Sequence, residues 1–286
     1  MVDSDRMKGS YIVFTDLDGT LLDHDTYAWE GAAPALRLCR RLGVPVVLVS
    51  SKTRAEMQPL RQALGLPDPF VVENGGAVFF DVGDPRPEGA SAEDGFWVWR
   101  FGESYPRLVQ ALAEIRKETG LPVKGFSDMR VEEIAELTGL GLEDARLAAR
   151  REYDEPFIVQ TASVGGSRTL EEAARARGLQ ILTGGRFFHL QGSNDKGRAV
   201  RMLMAHYRRL RTPVWSIALG DSPNDFSMLE QVEYPVLIRS ARDYSSLKKH
   251  IPNLTISSRM GPEGWNETVS AILGEMKEGE IDDGRL

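Results

Sequence analysis

The chain has 286 residues, 42% of them hydrophobic and 27% charged, the composition of an ordinary globular protein that buries a sizeable core. A formal net charge of −7 argues against a general nucleic-acid-binding or membrane-surface role, while leaving room for one cationic pocket. The single cysteine, Cys39, excludes an internal disulfide and fits a reducing compartment. The first ten residues lack the apolar core of a signal peptide, and no run approaches the roughly 20 apolar residues of a membrane-spanning helix. The expected location is the cytoplasm, without a membrane or nucleic-acid partner.

In chain order, residues 11–15 form an apolar, β-branched run expected as a buried strand. A helix over 32–42 follows, with Cys39 on its apolar face and Gly43 as its stop. A strand over 44–49, a helix over 54–64 ending at Gly65, and strands over 70–72 and 77–80 complete the first stretch. Residues 81–95, rich in Pro, Gly, Glu and Asp, read as a linker. Beyond it the pattern predicts a half-exposed strand over 96–101, a helix from Ser104 to about 118, and helices over 131–137 and 142–151. A strand over 157–160, a helix over 167–177 and a strand pair over 179–182 and 187–190 close this second stretch. From Asp195 the first pattern resumes, with a helix over 196–209, a strand over 214–219, a helix over 224–231, a strand over 235–238 and a last helix over 263–276. Residues 1–10 and 277–286 read as frayed tails. Continuous apolar strands imply cover on both faces, as in a parallel sheet. The expected fold class is α/β: a catalytic core from 1–81 and 191–286, interrupted by an inserted α/β domain over 82–190.

The strongest chemical signal is Asp16-Leu17-Asp18-Gly19-Thr20, directly after the first buried strand. Ligands of open parallel sheets bind at the carboxyl ends of strands. Two acids held close repel unless a cation or proton neutralises them, and a hard cation such as Mg²⁺ suits oxygen ligands. A second acidic cluster, Gly220-Asp221-Ser222-Pro223-Asn224-Asp225, follows the apolar strand over 214–219. Asp221 and Asp225 can complete a metal site with Asp16. Asp225 either ligates directly or supports the first turn of its helix. Ser50, with Ser51, Lys52 and Thr53 behind it, ends a strand before a helix, where a hydroxyl and backbone N–H groups can hold phosphoryl oxygens. Lys196 opens a helix and can neutralise a transferring phosphoryl group.

In this order, Asp16-x-Asp18-Gly-Thr, Ser50, Lys196 and Gly-Asp221-x-x-Asn-Asp225 resemble the four motifs of the haloacid dehalogenase superfamily. The resemblance implies a Rossmann-like core, a type 2B cap as the insertion, and Asp16 as nucleophile. More narrowly, the runs beginning at Ser50, Glu73, Arg151, Gly184 and Gly261 are similar to the mannosyl-3-phosphoglycerate phosphatase family. Phe188 stands where that family usually has Tyr before its His. The resemblance implies a small phosphorylated sugar-glycerate as substrate and Mg²⁺ as cofactor. It implies metal binding by Asp16, Asp18 (through its backbone carbonyl), Asp221 and Asp225. It implies Asp18 as general acid and base, and Ser50 and Lys196 on the phosphate.

Glu73, Asn74 and Gly75 end a strand and turn toward such a site. Arg186 can pair with a carboxylate or phosphate. His189 and Arg151 are candidates for the substrate's polar groups, each with a structural reading beside it. Two rivals stay open, a phosphosugar mutase and a non-enzymatic phosphate-accepting module. Asp18 and the large insertion weigh against the second.

Overall fold

The computed structural model describes residues 11–160, 166–184, 187–210 and 214–282. The strands in chain order are β1 (Tyr11–Thr15), β2 (Val46–Val49), β3 (Phe70–Val72), β4 (Ala77–Asp81), β5 (Ser91–Glu93), β6 (Phe96–Arg100), β7 (Val123–Gly125), β8 (Asp154–Val159), β9 (Gln180–Gly184), β10 (Phe187–Gln191), β11 (Trp215–Gly220), β12 (Tyr234–Arg239) and β13 (Thr255–Met260). The α-helices are α1 (Ala33–Leu42), α2 (Arg54–Leu64), α3 (Tyr105–Thr119), α4 (Val131–Thr138), α5 (Leu142–Ala148), α6 (Gly166–Arg175), α7 (Lys196–Leu210), α8 (Phe226–Leu229) and α9 (Gly261–Asp282). They fall into two compact units, residues 1–49 with 200–286, and residues 50–199.

In the first unit the strand order is β13-β12-β11-β1-β2, parallel throughout. Every residue of β1 is buried, because both faces of a parallel sheet are covered. Helix α1 buries Ala35, Leu36 and Cys39, so the lone thiol is a core residue as expected. The amino end of α1 is completed from a distance: Asn266 of α9 accepts the Ala35 N–H through Oδ1 at 2.9 Å. That supplies an acceptor to one of the four N–H groups a helix leaves open.

The second unit holds two antiparallel sets of strands, in the orders β3-β4-β6-β5 and β7-β8-β10-β9. Leu108, Leu112 and Ile115 of α3 and Leu170 and Ala174 of α6 pack with Phe157 of β8 and Leu190 of β10 in one core. A satellite core joins Phe126, Ile134 and Ala145.

Several expectations need correction. The run 81–95 is not a linker: Ser91–Glu93 pairs with Phe96–Val98. Asp94 (φ 45°) and Gly95 (φ 83°) make the two-residue turn between them, the left-handed pair a tight hairpin demands. The strand expected from 157 starts at Asp154. The helix expected over 224–231 is a single 3-10 turn, Pro223–Asp225, followed by the four-residue α8. Strands β7 and β13 were not anticipated.

Candidate active site

The acidic cluster belongs to the first unit. Strands β1 and β11 are parallel neighbours in the register Thr15↔Leu219, so residues just past their carboxyl ends emerge side by side. The Asp16 N–H donates to the Leu219 carbonyl at 2.9 Å, and Asp16 is 7% exposed. The chain then folds back on itself. Leu22 N–H donates to the Leu17 carbonyl at 2.8 Å and Gly19 N–H to the Leu22 carbonyl at 2.9 Å. Gly19 sits at φ 78°, where a Cβ would meet Asp221 Oδ2 at 2.8 Å. Glycine therefore lets this loop approach the second acidic loop closely. Thr20 Oγ1 donates to Asp221 Oδ1 at 3.4 Å.

The carboxylates of Asp16, Asp221 and Asp225 each offer an oxygen within 4.8 Å of the others. Three carboxylates so close repel unless protons or a cation neutralise them, and all-oxygen donors suit a hard divalent ion. The cluster can hold a metal ion. Asp225 is fully buried, and its Oδ2 accepts from the backbone N–H groups of Asp221 (3.1 Å) and Ser222 (3.0 Å). One of its oxygens therefore shapes the loop that carries Asp221. Behind Asp16, Trp265 Nε1–H donates to Thr15 Oγ1 at 3.0 Å, and that hydroxyl donates to the Asp16 carbonyl at 2.7 Å. The Trp265 side chain is fully buried, so it braces the strand end rather than a ligand.

Ser50, Glu73, Asn74, Gly75, Arg151, His189 and Lys196 all lie in the second unit. Ser50 is 1% exposed. Its Oγ accepts the Lys52 N–H at 3.2 Å and its carbonyl accepts the Asn74 N–H at 3.0 Å. Glu73 (φ 46°), Asn74 (φ 54°) and Gly75 (φ 88°) are three successive left-handed residues, a backbone held only where surroundings enforce it. Two contacts do so. A Cβ on Gly75 would meet the Asp195 carbonyl at 2.2 Å, so the turn abuts the start of α7 and Lys196. The fully buried Glu73 carboxyl accepts the N–H groups of Glu152 (3.0 Å) and Tyr153 (2.8 Å). Burial pushes the Glu73 pKa from 4.5 up to about 8, against the lowering pull of Arg151. Lys196 is 1% exposed, so its charge is presented inward.

Arg151 is engaged on several sides. Nε donates to the Ala148 carbonyl at 2.8 Å, Nη1 donates to the Ser51 carbonyl at 2.9 Å, and Nη1 lies 3.5 Å from Asp154 Oδ2. The same Asp154 oxygen is 2.7 Å from His189 Nδ1. Asp154 is fully buried and its Oδ1 has no partner. The sequence assigns Asp154 no site role of its own, because its apolar pattern places the strand only from 157. Burial also raises the pKa of the Tyr105 hydroxyl, helped by the nearby Glu155 carboxylate. Arg186 lies outside the described residues.

A family model for haloacid dehalogenase-like hydrolases matches residues 13–84 and 186–259. The chain is 39% identical over 267 residues to a glucosyl-3-phosphoglycerate/mannosyl-3-phosphoglycerate phosphatase of Methanococcoides burtonii, covering 93% of this chain and 98% of that one. The chain belongs to the haloacid dehalogenase-like hydrolases. A second relative of the family carrying the same name, from Persephonella marina, is 38% identical over 94% of this chain and 99% of its own.

Among solved structures, the family fold is met in Thermoplasma acidophilum 0175 with a TM-score of 0.65 at 20% identity, over 92% of this chain and 97% of that one. It is met again in BT4131, a sugar phosphatase of the HAD subclass IIB, with a TM-score of 0.61 at 16% identity, over 94% and 99%. At such identities the likeness concerns the fold: a Rossmann-like parallel core with an inserted α/β cap. Among the described residues no helix is long and apolar enough to cross a membrane.

Proposed function

We propose that the chain is a Mg²⁺-dependent phosphatase that releases phosphate from mannosyl-3-phosphoglycerate, with the glucosyl analogue as the alternative substrate. The observation that carries the reading is the meeting of Asp16, Asp221 and Asp225 oxygens within 4.8 Å beyond the ends of two adjacent parallel strands. The names of the two relatives support the substrate class. The catalytic core is residues 1–81 and 191–286, with a specificity cap over 82–190, working in the cytoplasm on a small molecule.

Asp16, the Asp18 backbone carbonyl, Asp221 and Asp225 would hold Mg²⁺, which lowers the repulsion between an anionic nucleophile and a phosphate ester. The Asp16 carboxylate attacks phosphorus in line, forming an aspartyl-phosphate as the P–O bond to the glycerate breaks. The Asp18 carboxylic acid gives its proton to the departing glycerate oxygen. As a carboxylate it then takes a proton from the water that attacks the phosphoryl group and frees Asp16. Ser50 and Lys196 bind phosphoryl oxygens as charge moves. Glu73, Asn74, Gly75, Arg151 and His189 serve the substrate's polar groups. For Glu73 this role is indirect, since its carboxyl faces backbone donors.

The test is phosphate release from a panel of mannosyl- and glucosyl-3-phosphoglycerate, hexose phosphates and aryl phosphate, with products identified. Phosphoglycerate glycosides should give the highest kcat/KM. Isomerised sugar phosphate without free phosphate would instead make the protein a mutase.

A further inference from the structure

A cavity of about 500 Å³ lies wholly within the second unit, walled by Arg54 and Gln58 of α2, Asp94 of the β5–β6 turn, and Arg150, Arg151 and Glu152. Its charges differ in what they still offer. Both acids are held by one cation: Arg54 Nε donates to Glu152 Oε1 at 2.8 Å and Nη1 to Asp94 Oδ2 at 3.2 Å. Arg151 has an 8% exposed side chain, and its Nε and Nη1 are bound to the carbonyls of Ala148 and Ser51. Its Nη2 has no acceptor among the described residues. Arg150 is exposed and makes no ion pair among the described residues. Arg54 faces Glu152 and Asp94, and Arg151 also faces the buried Asp154 at 3.5 Å, which leaves Arg150 as the cavity's guanidinium without an ion pair among the described residues.

A nearly buried guanidinium with an open donor favours an acceptor over an apolar neighbour. A planar monoanion matches both the unpaired Arg150 and the fork geometry. We propose that this cavity binds the carboxylate of the substrate's glycerate unit, with Arg150 and Arg151 as its donors. The inference rests on the phosphatase reading above and names where its selectivity resides. The 2.9 Å bond from Arg151 to the Ser51 carbonyl ties the cavity wall to the residue next to Ser50, the hydroxyl assigned to the phosphoryl group. A 3-phosphoglycerate ester carries carboxylate and phosphate on one three-carbon unit, so sites for the two must be neighbours.

The experiment compares the Mg²⁺-loaded enzyme on mannosyl-3-phosphoglycerate and on its carboxyl methyl ester, in the unchanged protein and in Arg150→Ala and Arg150→Lys. The unchanged protein should prefer the acid. Arg150→Ala should lose about ten- to a hundredfold in kcat/KM on the acid, chiefly through KM, and much less on the ester. Arg150→Lys should recover part of the loss, because lysine keeps the charge without the fork. Arg54→Gln is the second variant: it removes one guanidinium and frees Glu152 and Asp94 to repel a carboxylate, which should also penalise the acid selectively. An acid-to-ester ratio unchanged in folded Arg150→Ala overturns the inference and leaves the phosphatase reading standing. Turnover of sugar phosphates but of neither glycerate substrate would overturn the substrate reading itself, and this inference with it.

Discussion

The two charged regions of the molecule solve opposite problems. Around Asp16, Asp221 and Asp225 the first unit gathers charges of one sign within 4.8 Å. Around Glu73, Arg151 and Asp154 the second unit buries charges of both signs and surrounds them with donors and acceptors: Glu73 faces two backbone N–H groups, Arg151 two carbonyls, and Asp154 a histidine. The first arrangement is unfavourable by itself unless protons or a cation neutralise it. The second is balanced from within and holds segments of the chain in place. A like-charge cluster thus points to chemistry, whereas a network of paired buried charges points first to scaffolding.

The comparison breaks most sharply at Asp16. Asp16→Asn should lower phosphate release on the order of 10⁴-fold or more, since removing a nucleophile removes the pathway. Circular dichroism should stay unchanged, because the amide keeps the shape and relieves repulsion. Near-normal turnover by a verified amide variant would contradict the role of the cluster.

Asp18→Asn is expected to cost less, roughly 10²–10⁴-fold, the usual range for a general acid–base group. The loss in the first step should shrink with an aryl phosphate, whose leaving group needs no proton. Equal first-step losses for sugar and aryl esters would remove Asp18 from that role.

Metal binding can be read without turnover. Mg²⁺ at about 100 times its dissociation constant should stabilise the fold by about 2.7 kcal/mol through linkage, seen as a rise in Tm that chelator reverses. Asp221→Asn should weaken that shift. A Tm indifferent to Mg²⁺ and chelator in the unchanged protein would count against the cation.

The smallest effect concerns Glu73. Its folded pKa of about 8 lies above the ordinary 4.5, so the fold favours the protonated form. The stability it contributes is complete below about pH 4.5 and is lost as pH rises through about 8. Glu73→Gln should flatten the Tm profile across that window. An unchanged slope would mean that Glu73 does not titrate as its burial implies.

Much of this protein was legible one segment at a time. Apolar runs before Asp16 and Asp221 mark the strands, and parallel strands present their carboxyl ends together, so the sequence alone joins the acidic pair. Helices α1 and α2 ended at Gly43 and Gly65 as expected. Strands that carry acids were less legible. Asp154 and Glu155 are fully buried in β8, yet the apolar pattern places that strand only from 157, because an isolated segment cannot say that Arg151, His189 and Ser127 will meet them.

Ser91–Glu93 likewise became a strand only because Phe96–Val98 lies opposite. Local sequence by itself determined much of the strand and helix rhythm and placed the acidic runs at 16–18 and 221–225 after apolar strands, because hydrophobic period and turn chemistry act over a few residues. Tertiary structure alone decided that Glu73 binds the backbone of Glu152 and Tyr153, that Asp225 shapes the Asp221 loop, and that three arginines border one cavity. Buried charge is tolerated only with partners, and those partners come from residues far apart in the chain.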